Sequence, residues 1–343
     1  PELVRQIMEN LKIAVVGSGL MGTDHIARIS QRIGGAEVTA VVETNSDRAA
    51  SGLSLAPSAK HFQTIEEAID ADLVDAVIIA TPGQFHEPVL LPSIQAKLPT
   101  LCEKPLTPDP SSALRVVEAE VASGNRLIQV GFMRRFDSEY QQLRELVSTG
   151  SLGELLGLRC QHRNPSVADT YQNEMLIFDS VVHEIDIVRY LTGSPIISVE
   201  IKHMKRNSNN LAHLKEPILV LLETESGVLV DVEMNVSGGF GYQVKTEAVF
   251  ENGIAEIGRT AGMTKWEAGR FWQAEHMTYA SRFAMAYDEQ VQRWVRAARN
   301  KSIDGPSAWD GYLAAAAVDA GVKALRSSLK ESVAYASTPA LYR

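Results

Sequence analysis

Two short stretches of the sequence carry residue types that could perform acid–base chemistry. In CEKPLTPD, Glu103 and Lys104 follow a short apolar run and precede Pro105. In IFDSVVHEIDIVRYL, Asp179 and His183 lie four residues apart. An imidazole titrates near neutral pH and can act as a general base, a carboxylate can orient it, and an ammonium group can donate to a reacting oxygen. Lys104, Asp179 and His183 are therefore the candidate catalytic residues.

The spacing of Asp179 and His183 leaves other interpretations open. On a helix, side chains four residues apart share one face, with Cβ atoms roughly 5–6 Å apart. The apolar residues around them indicate a buried helix, in which the two groups could form a satisfied core pair. The zinc motif H-E-x-x-H is absent, because Ile187 occupies the position of its second histidine. The two cysteines offer no zinc spacing either, so we predict no metal site.

The glycine-rich stretch VVGSGLMG predicts a dinucleotide-binding loop. It reads G-x-G-x-x-G at Gly17, Gly19 and Gly22, and it ends an apolar strand and opens a helical pattern. Gly17 permits a tight turn, Gly19 lets the backbone approach a pyrophosphate at the positive end of the helix dipole, and Gly22 allows close packing. Leu20 and Met21 complete the predicted cofactor-binding segment. The alternative is a tight turn without a ligand.

Glu43, at the end of the second apolar strand, predicts which dinucleotide binds. A carboxylate there can accept hydrogen bonds from a ribose diol and repels a 2′-phosphate. The next two residues are not arginine, and Arg48 is expected on the following helix. We therefore predict NAD as the cofactor in preference to NADP. The alternative is a strand-end carboxylate that only faces solvent.

A second cofactor-binding stretch is ATPGQFH, which follows the predicted strand 75–81. In open parallel sheets, the carboxyl ends of the strands line the ligand crevice. Thr81 and Pro82 should therefore border the cofactor. His86 is expected to begin a helix or to form part of the cofactor wall, and not to act as a catalyst.

Glu103 and Lys104 end another predicted strand, 100–104, at the same edge of the sheet. Pro105 restricts Lys104 to extended conformations. Both side chains are therefore predicted to contact the cofactor, with Lys104 aimed at its reactive end. A solvated Glu–Lys pair at the surface is the alternative.

The first 132 residues alternate between short apolar strands and amphipathic helices. This alternation predicts an α/β domain with a doubly wound parallel sheet covered on both faces. The predicted strands are 12–17, 37–43, 75–81, 100–104 and 127–132. We assign residues 1–132 to an NAD-binding domain.

From residue 133 the pattern changes to longer strands and hairpins. Hairpins indicate an antiparallel sheet, so residues 133–343 are predicted to form an α+β domain with a large open sheet, for substrate binding and oligomerisation. Two closing helices could pack back on the first domain. The predicted elements are strands 153–165 and 197–206, a helix at 177–193, hairpins turning at 225–227 and at Asn252-Gly253, and closing helices at 286–300 and 308–328.

The composition limits the class of protein. The chain has 343 residues, a formal net charge of −9 and two cysteines, Cys102 and Cys160. The negative charge disfavours nucleic acid or an anionic membrane as a partner, and two cysteines suit a reducing compartment. There is no run of 18 apolar residues, and PELVRQIMEN is too polar for a signal peptide. We expect a soluble cytoplasmic protein.

In order along the chain, VVGSGLMG, EKP and DSVVHEID resemble the motifs of the Gfo/Idh/MocA oxidoreductases. The resemblance implies a Rossmann domain, a second domain whose open sheet mediates oligomers, usually tetramers, and NAD(P)-dependent oxidation of a ring hydroxyl. It assigns catalytic roles to Lys104, Asp179 and His183. It also implies that Met133 and Arg134 of GFMRR contact the cofactor.

Finer features, GFMRRFD, CQHRNP and GPSAWDGY, resemble the branch of the family that oxidises inositol at carbon 2. By this resemblance, the substrate contacts are Lys104, His162, Asn164, Asp179, Ser180, His183 and Tyr242. Ser180 stands where that branch often has threonine, which leaves the preferred isomer open. The remaining alternatives are a dehydrogenase of scyllo-inositol, a sugar or an amino sugar, with Arg134, Arg135 and Arg163 as a phosphate clamp, a regulator without turnover, and an NAD-dependent glycosidase.

Overall fold

The computed structural model describes residues 9–259 and 261–343. The stretch PELVRQIMEN, which argued against a signal peptide, lies outside the described residues except for its last two. The described chain divides into two compact units. The first contains the residues up to Phe132 with Tyr287–Ala315 and Ala336–Arg343, and the second contains Met133–Ala286 and Ala316–Tyr335.

The first unit is built on a parallel sheet. Its described strands are β1 (Leu11–Val16), β2 (Ala36–Val42), β3 (Lys60–Phe62), β4 (Ala76–Ile79), β5 (Thr100–Cys102) and β6 (Ile128–Val130). They lie in the order β3-β2-β1-β4-β5-β6, and all neighbours are parallel. The order reverses between β1 and β4, so the carboxyl ends of these strands flank the usual ligand crevice of this fold.

Helices connect these strands. They are α1 (Leu20–Gln31), α2 (Ser46–Leu55), α3 (Ile65–Asp70), α4 (Glu87–Gln95) and α5 (Pro110–Ser123). Local sequence explains where they begin: Asn45 caps α2, Thr64 and Glu67 form a capping box on α3, and Asp109 caps α5. Helix α1 differs, because its N-cap residue Gly19 supplies no side-chain cap. Its first amides are therefore not satisfied by capping.

The core of the first unit contains residues from both ends of the chain. β1 is buried at every position except Lys12, because a parallel sheet is covered on both faces. Ile13, Val15 and Ile78 pack in one cluster with Trp294, which is fully buried. Trp294 belongs to the helix α8 (Tyr279–Ala298). The expectation that a closing helix reaches the nucleotide-binding sheet is therefore met by this helix.

The second unit contains a larger, mixed sheet. Its described strands are β7 (Leu155–Arg163), β8 (Ile196–His203), β9 (Ile218–Thr224), β10 (Leu229–Asn235), β11 (Gln243–Phe250), β12 (Gly253–Ile257), β13 (Ala261–Glu267), β14 (Arg270–Ala274) and β15 (Glu331–Ser332). The main sheet has the order β12-β11-β7-β10-β9-β8-β15, with β7 and β10 parallel and the other pairs antiparallel. Alternating burial along β9 and β11 shows that one face is covered. The predicted fold class is thus confirmed.

The remaining helices are α6 (Ser138–Thr149), α7 (Val182–Thr192) and α9 (Ala308–Ser327), with α7 preceded by a π-helical turn, Leu176–Val181. Helix α8 has a kink at Phe283, whose φ of −114° and ψ of 17° are not helical. Within residues 9–259 and 261–343, no helix has the length and apolar composition needed to cross a membrane.

Several sequence expectations about elements need correction. The single helix predicted at 177–193 begins as the π-helical turn, because an inserted residue per turn leaves little trace in apolar periodicity. The second hairpin turns at Glu251 and Asn252, since Phe250 pairs directly with Gly253. β3, α6 and the β13–β14 hairpin were not predicted, and the helix predicted at 286–300 begins at Tyr279.

Candidate active site

The glycine loop lies between β1 and α1 and has the backbone that its sequence predicts. Gly17 has a φ of +85°, and a Cβ atom there would press on Thr81. A Cβ atom at Gly22 would overlap the carbonyl oxygen of Gly17, so helix and turn meet at a distance that only glycine allows. Above Gly19 the space is open to 4 Å among the described residues. The loop therefore leaves room for a ligand over the uncapped start of α1.

Glu43 follows β2 and is buried, with 7% of its surface exposed. Its Oε2 accepts hydrogen bonds from the Ser18 amide, at 3.0 Å, and from Arg48 Nε, at 3.1 Å. Its Oε1 accepts from the Asn45 amide and from Arg48 Nη2, both at 2.9 Å. Burial alone would raise the pKa of Glu43, but these hydrogen bonds outweigh it and lower the pKa to about 2. Glu43 is therefore ionised and does not simply face solvent.

Thr81 borders the same edge, just past β4. Its methyl group packs near Gly17, while its hydroxyl is buried and has no hydrogen-bond partner among the described residues. A buried hydroxyl without a partner is costly, so a ligand atom is the expected partner. The open loop, the uncapped helix, the ionised Glu43 and this hydroxyl fit the diphosphate and ribose groups of a dinucleotide. Pro82 is exposed next to Thr81.

His86 is fully buried and joins two loops at this edge. Its Nε2 lies 2.7 Å from the Thr81 carbonyl oxygen, and its Nδ1 lies 2.8 Å from that of Pro105. Burial lowers the pKa of His86, while these carbonyl oxygens act in the opposite direction. His86 therefore fixes the two cofactor-side loops through their backbones, as a helix-start residue with no open face toward a ligand.

Glu103 and Lys104 directly follow β5, as the sequence predicts. Glu103 is buried and accepts a hydrogen bond of 2.8 Å from Nε2 of His25, which lies on α1. Lys104 is partly exposed, and its peptide bond to Pro105 is cis. The strand end thus holds the glutamate inside the unit and leaves the lysine nearer the surface. Cofactor contact by Glu103 and Lys104 stays a prediction.

In the second unit, Asp179 lies on the π-helical turn and His183 on the first turn of α7. Asp179 is half-buried and His183 is buried. Single π turns occur frequently at functional sites, because the extra residue redirects side chains. The spacing predicted from a regular α-helix therefore does not apply, although both residues lie on adjoining turns.

Next to His183, Glu184 forms a buried network with Arg134 and His162. Arg134 donates from Nη1 to Oε1 of Glu184, and His162 Nδ1 lies 3.0 Å from Oε2. Burial alone would raise the pKa of Glu184, but the charge of Arg134 and the contact with His162 outweigh it and lower the pKa to about 2. Arg134 and His162 are 1% and 3% exposed. Their predicted cofactor and substrate contacts, like that of buried Met133, stay predictions.

The other predicted substrate residues divide into two groups. Ser180 is buried, and its hydroxyl lies 2.8 Å from that of Tyr171. Burial raises the pKa of Tyr242 to about 12, and its ring packs edge-on against His162. Asn164 differs, because its buried Oδ1 has no hydrogen-bond partner among the described residues. Asn164 therefore offers an acceptor that a hydroxyl-bearing ligand could use.

The arginines proposed as a phosphate clamp are paired with carboxylates. Arg134 pairs with Glu184, Arg135 Nε lies 2.9 Å from Asp186 Oδ2, and Arg163 Nε lies 2.7 Å from Glu233 Oε1. Each positive charge is thus already compensated within the second unit. Among the described residues, no group of three or more His, Cys, Asp or Glu side chains is arranged to hold a metal ion.

Sequence reasoning did not identify His25, Tyr171 and Glu184. His25 lies on the buried stripe of α1 with Ile26 and Ile29, and a polar residue on such a stripe is a usable signal. Glu184 is likewise a charged residue within a buried helix. Tyr171 lies in a loop, where periodicity gives no signal.

Residues 11–132 match a family described as an oxidoreductase family with an NAD-binding Rossmann fold, and residues 140–256 match the GFO/IDH/MocA C-terminal domain. An inositol 2-dehydrogenase of Corynebacterium glutamicum ATCC 13032 is 57% identical over 318 residues, covering 92% of this chain and 94% of the relative. An inositol 2-dehydrogenase of Leifsonia xyli subsp. xyli is 55% identical over 334 residues, covering 97% and 98%.

Among solved structures, the chain is similar to the myo-inositol dehydrogenase of Lactobacillus casei in complex with NAD(H) and myo-inositol. The TM-score is 0.94 at 31% identity, covering 97% of this chain and 100% of that one. The glycine loop, the strand-end residues and the second-unit helix lie in the segments that these matches span. The chain therefore belongs to the Gfo/Idh/MocA oxidoreductase family and is an NAD-dependent dehydrogenase.

Proposed function

We propose that this dehydrogenase oxidises the C2 hydroxyl of myo-inositol, with NAD as the hydride acceptor. The observation that carries the proposal is similarity over nearly the whole chain to proteins named inositol 2-dehydrogenase. The likeness to a dehydrogenase complex containing myo-inositol supports the same substrate. Dehydrogenation of a secondary alcohol requires a base for the hydroxyl proton and a stabiliser for the oxygen.

His183 is the proposed base. It accepts the proton of the reacting hydroxyl as the alcohol carbon gives up its hydride. Histidine suits this role because imidazole changes protonation close to neutral pH. Asp179, on the preceding π-helical turn, is proposed to orient the imidazole and to stabilise its protonated form.

Lys104 is proposed to donate a hydrogen bond to the oxygen of the same hydroxyl. Its ammonium group stabilises the alkoxide that develops during oxidation, and it polarises the ketone in the reverse reaction. Support comes from its position directly after β5, at the strand edge that carries the glycine loop and Thr81. Bound NAD supplies the hydride-accepting chemistry that the side chains lack.

A neutral polyol fits the charges of the second unit better than a phosphorylated sugar. Arg134, Arg135 and Arg163 are each paired with a carboxylate, so a phosphate would have to displace one of those partners. Asn164 offers an unsatisfied buried Oδ1 that suits a hydroxyl donor. These observations favour an uncharged ring with several hydroxyl groups.

The working form is proposed to be a cytoplasmic homotetramer. The β13–β14 hairpin carries large apolar side chains at the surface, and such patches usually mark contacts with another chain. Cys102 and Cys160 are both unpaired thiols, which suits a reducing compartment. The exposed hairpin side chains are Met263, Trp266, Phe271 and Trp272.

The test is a substrate panel with purified protein, followed by NADH absorbance. The panel contains myo-inositol, scyllo-inositol, glucose and their phosphates, and Lys104→Met serves as the inactive control. We expect the highest kcat/KM with myo-inositol and little turnover of the phosphates. A higher kcat/KM with glucose or any phosphate would overturn the substrate assignment, and no turnover with any member would overturn the dehydrogenation of inositol.

A further inference from the structure

A paired carboxylate and guanidinium, Glu43 and Arg48, lie at the ribose end of the NAD-binding edge. Together, Ser18, Asn45 and Arg48 fill both oxygens of Glu43, each of which accepts two hydrogen bonds within 3.1 Å. A carboxylate has about four lone-pair positions, so a ribose diol cannot bind Glu43 unless one of these donors leaves.

Arg48 is the donor that can leave. The amides of Ser18 and Asn45 belong to the backbone of the glycine loop and of the turn before α2, so moving them would disturb both. The Arg48 side chain is 54% exposed, whereas that of Glu43 is 6% exposed. An exposed guanidinium can rotate into solvent at a small cost, because an ion pair open to water contributes little.

The backbone of Arg48 is fixed close to the loop. Ser18 Oγ donates to the Arg48 carbonyl oxygen at 2.9 Å, and Asn45 caps the first turn of α2 at the Arg48 amide, at 3.0 Å. Gly52, one turn further along α2, allows Ser18 to pack closely against that helix. The guanidinium therefore stays within reach of the strand end even when it releases Glu43.

We propose that Arg48 is a specificity-determining residue that forms a latent site for a 2′-phosphate, masked by Glu43. A carboxylate in this place accepts from ribose hydroxyls and repels a 2′-phosphate, whereas an arginine fits the phosphate. Both residue types are present here and are bonded to each other. NAD binding exchanges Arg48 for the ribose diol, and loss of the Glu43 charge opens the site to NADP.

The test measures binding to the full-length protein by calorimetry, independently of turnover. The probes are 2′,5′-ADP, which carries the 2′-phosphate, and ADP-ribose, which does not. In Glu43→Gln, the affinity for 2′,5′-ADP should rise about tenfold or more, the usual size of a hydrogen bond to a charged group. In the double variant Glu43→Gln with Arg48→Ala, that gain should disappear.

Arg48→Ala alone tests the exchange, in a variant that changes only an exposed side chain. We expect its affinity for ADP-ribose to equal or exceed that of the unchanged protein, because Glu43 then has an open position. Arg48→Lys keeps the charge but loses the two-pronged geometry, so Glu43→Gln with Arg48→Lys should recover only part of the gain. Arg115→Ala is the matched control, because Arg115 makes a similar two-pronged pair with Glu87 and is 56% exposed.

Three results would overturn the proposal. A gain for 2′,5′-ADP that persists in the double variant would assign it to lost repulsion by Glu43 alone. A folded Glu43→Gln protein that binds ADP-ribose but shows no gain would remove the latent site. An ADP-ribose affinity that falls tenfold in Arg48→Ala but not in Arg115→Ala would make Arg48 a direct contact of NAD.

Discussion

His25 on α1 and Glu103 after β5 are joined by a buried hydrogen bond of 2.8 Å between Nε2 and Oε1. The bond links the helix that begins at the glycine loop to the residue that precedes Lys104. His25 also packs edge-on against Tyr287 of α8, and Arg28 lies over the same tyrosine ring. The strand end that carries Lys104 is thus braced by residues distant in the sequence.

Replacing His25 with leucine should destabilise the protein by about 2–4 kcal/mol, because the buried Glu103 carboxylate then loses its partner. His25→Gln should recover part of this loss, since its amide can donate from a similar position. Chemical denaturation measures the free energy of unfolding of each variant. Equal stabilities for the unchanged protein and His25→Leu would show that the bond contributes nothing.

Replacing His183 with alanine should lower kcat about 10²–10⁴-fold, the usual contribution of a general base. Oxidation by the unchanged enzyme should slow as pH falls, because a protonated imidazole cannot accept the hydroxyl proton, and this acidic limb should be missing in the variant. Steady-state rates across pH measure both effects. His203→Ala, an exposed histidine of the same unit, is the control. An unchanged kcat in His183→Ala would assign the base elsewhere.

Replacing Thr81 with valine should raise KM for NAD about 3- to 10-fold with little loss of stability. Its buried hydroxyl has no partner among the described residues, so only the ligand complex loses a hydrogen bond. Thr100→Val is the matched control, because the Thr100 hydroxyl donates to the Leu98 carbonyl oxygen at 3.0 Å. That variant should lose stability and keep its KM. The opposite pattern would place the ligand away from Thr81.

Replacing Glu184 with glutamine should alter how stability depends on pH. The folded-state pKa of Glu184, about 2, lies below its ordinary value of 4.5. Its stabilising contribution is therefore complete above about pH 4.5 and is lost as the pH falls toward 2. The difference in unfolding free energy between the unchanged protein and the variant should shrink over that window. Denaturation at several pH values tests this, with the exposed Glu145→Gln as control. A constant difference would contradict it.

Patterns within one or two elements were readable from the sequence. The G-x-G-x-x-G motif predicted both the backbone of Gly17 and the contact at Gly22, because each follows from local geometry. Strand alternation predicted the parallel sheet and the family of folds. Glu43 was placed correctly at the end of β2, and Arg48 on the next helix.

Pairings across the fold were not readable. His25 and Glu103 are 78 positions apart, and no local pattern connects them. The reach of Arg48 back to Glu43 depends on how the first turn of α2 packs on the glycine loop. The β13–β14 hairpin escaped notice because its apolar residues are exposed, so burial imposes no alternation on them.

The position of Trp294 has a consequence for how the chain matures on the ribosome. The nucleotide-binding sheet emerges first, yet the helix that fills its core is translated only after the whole second sheet. Until then Ile13, Val15 and Ile78 lack a large part of their covering. The nascent protein must therefore keep a sticky, half-finished layer from aggregating, and chaperone demand should peak before α8 is made.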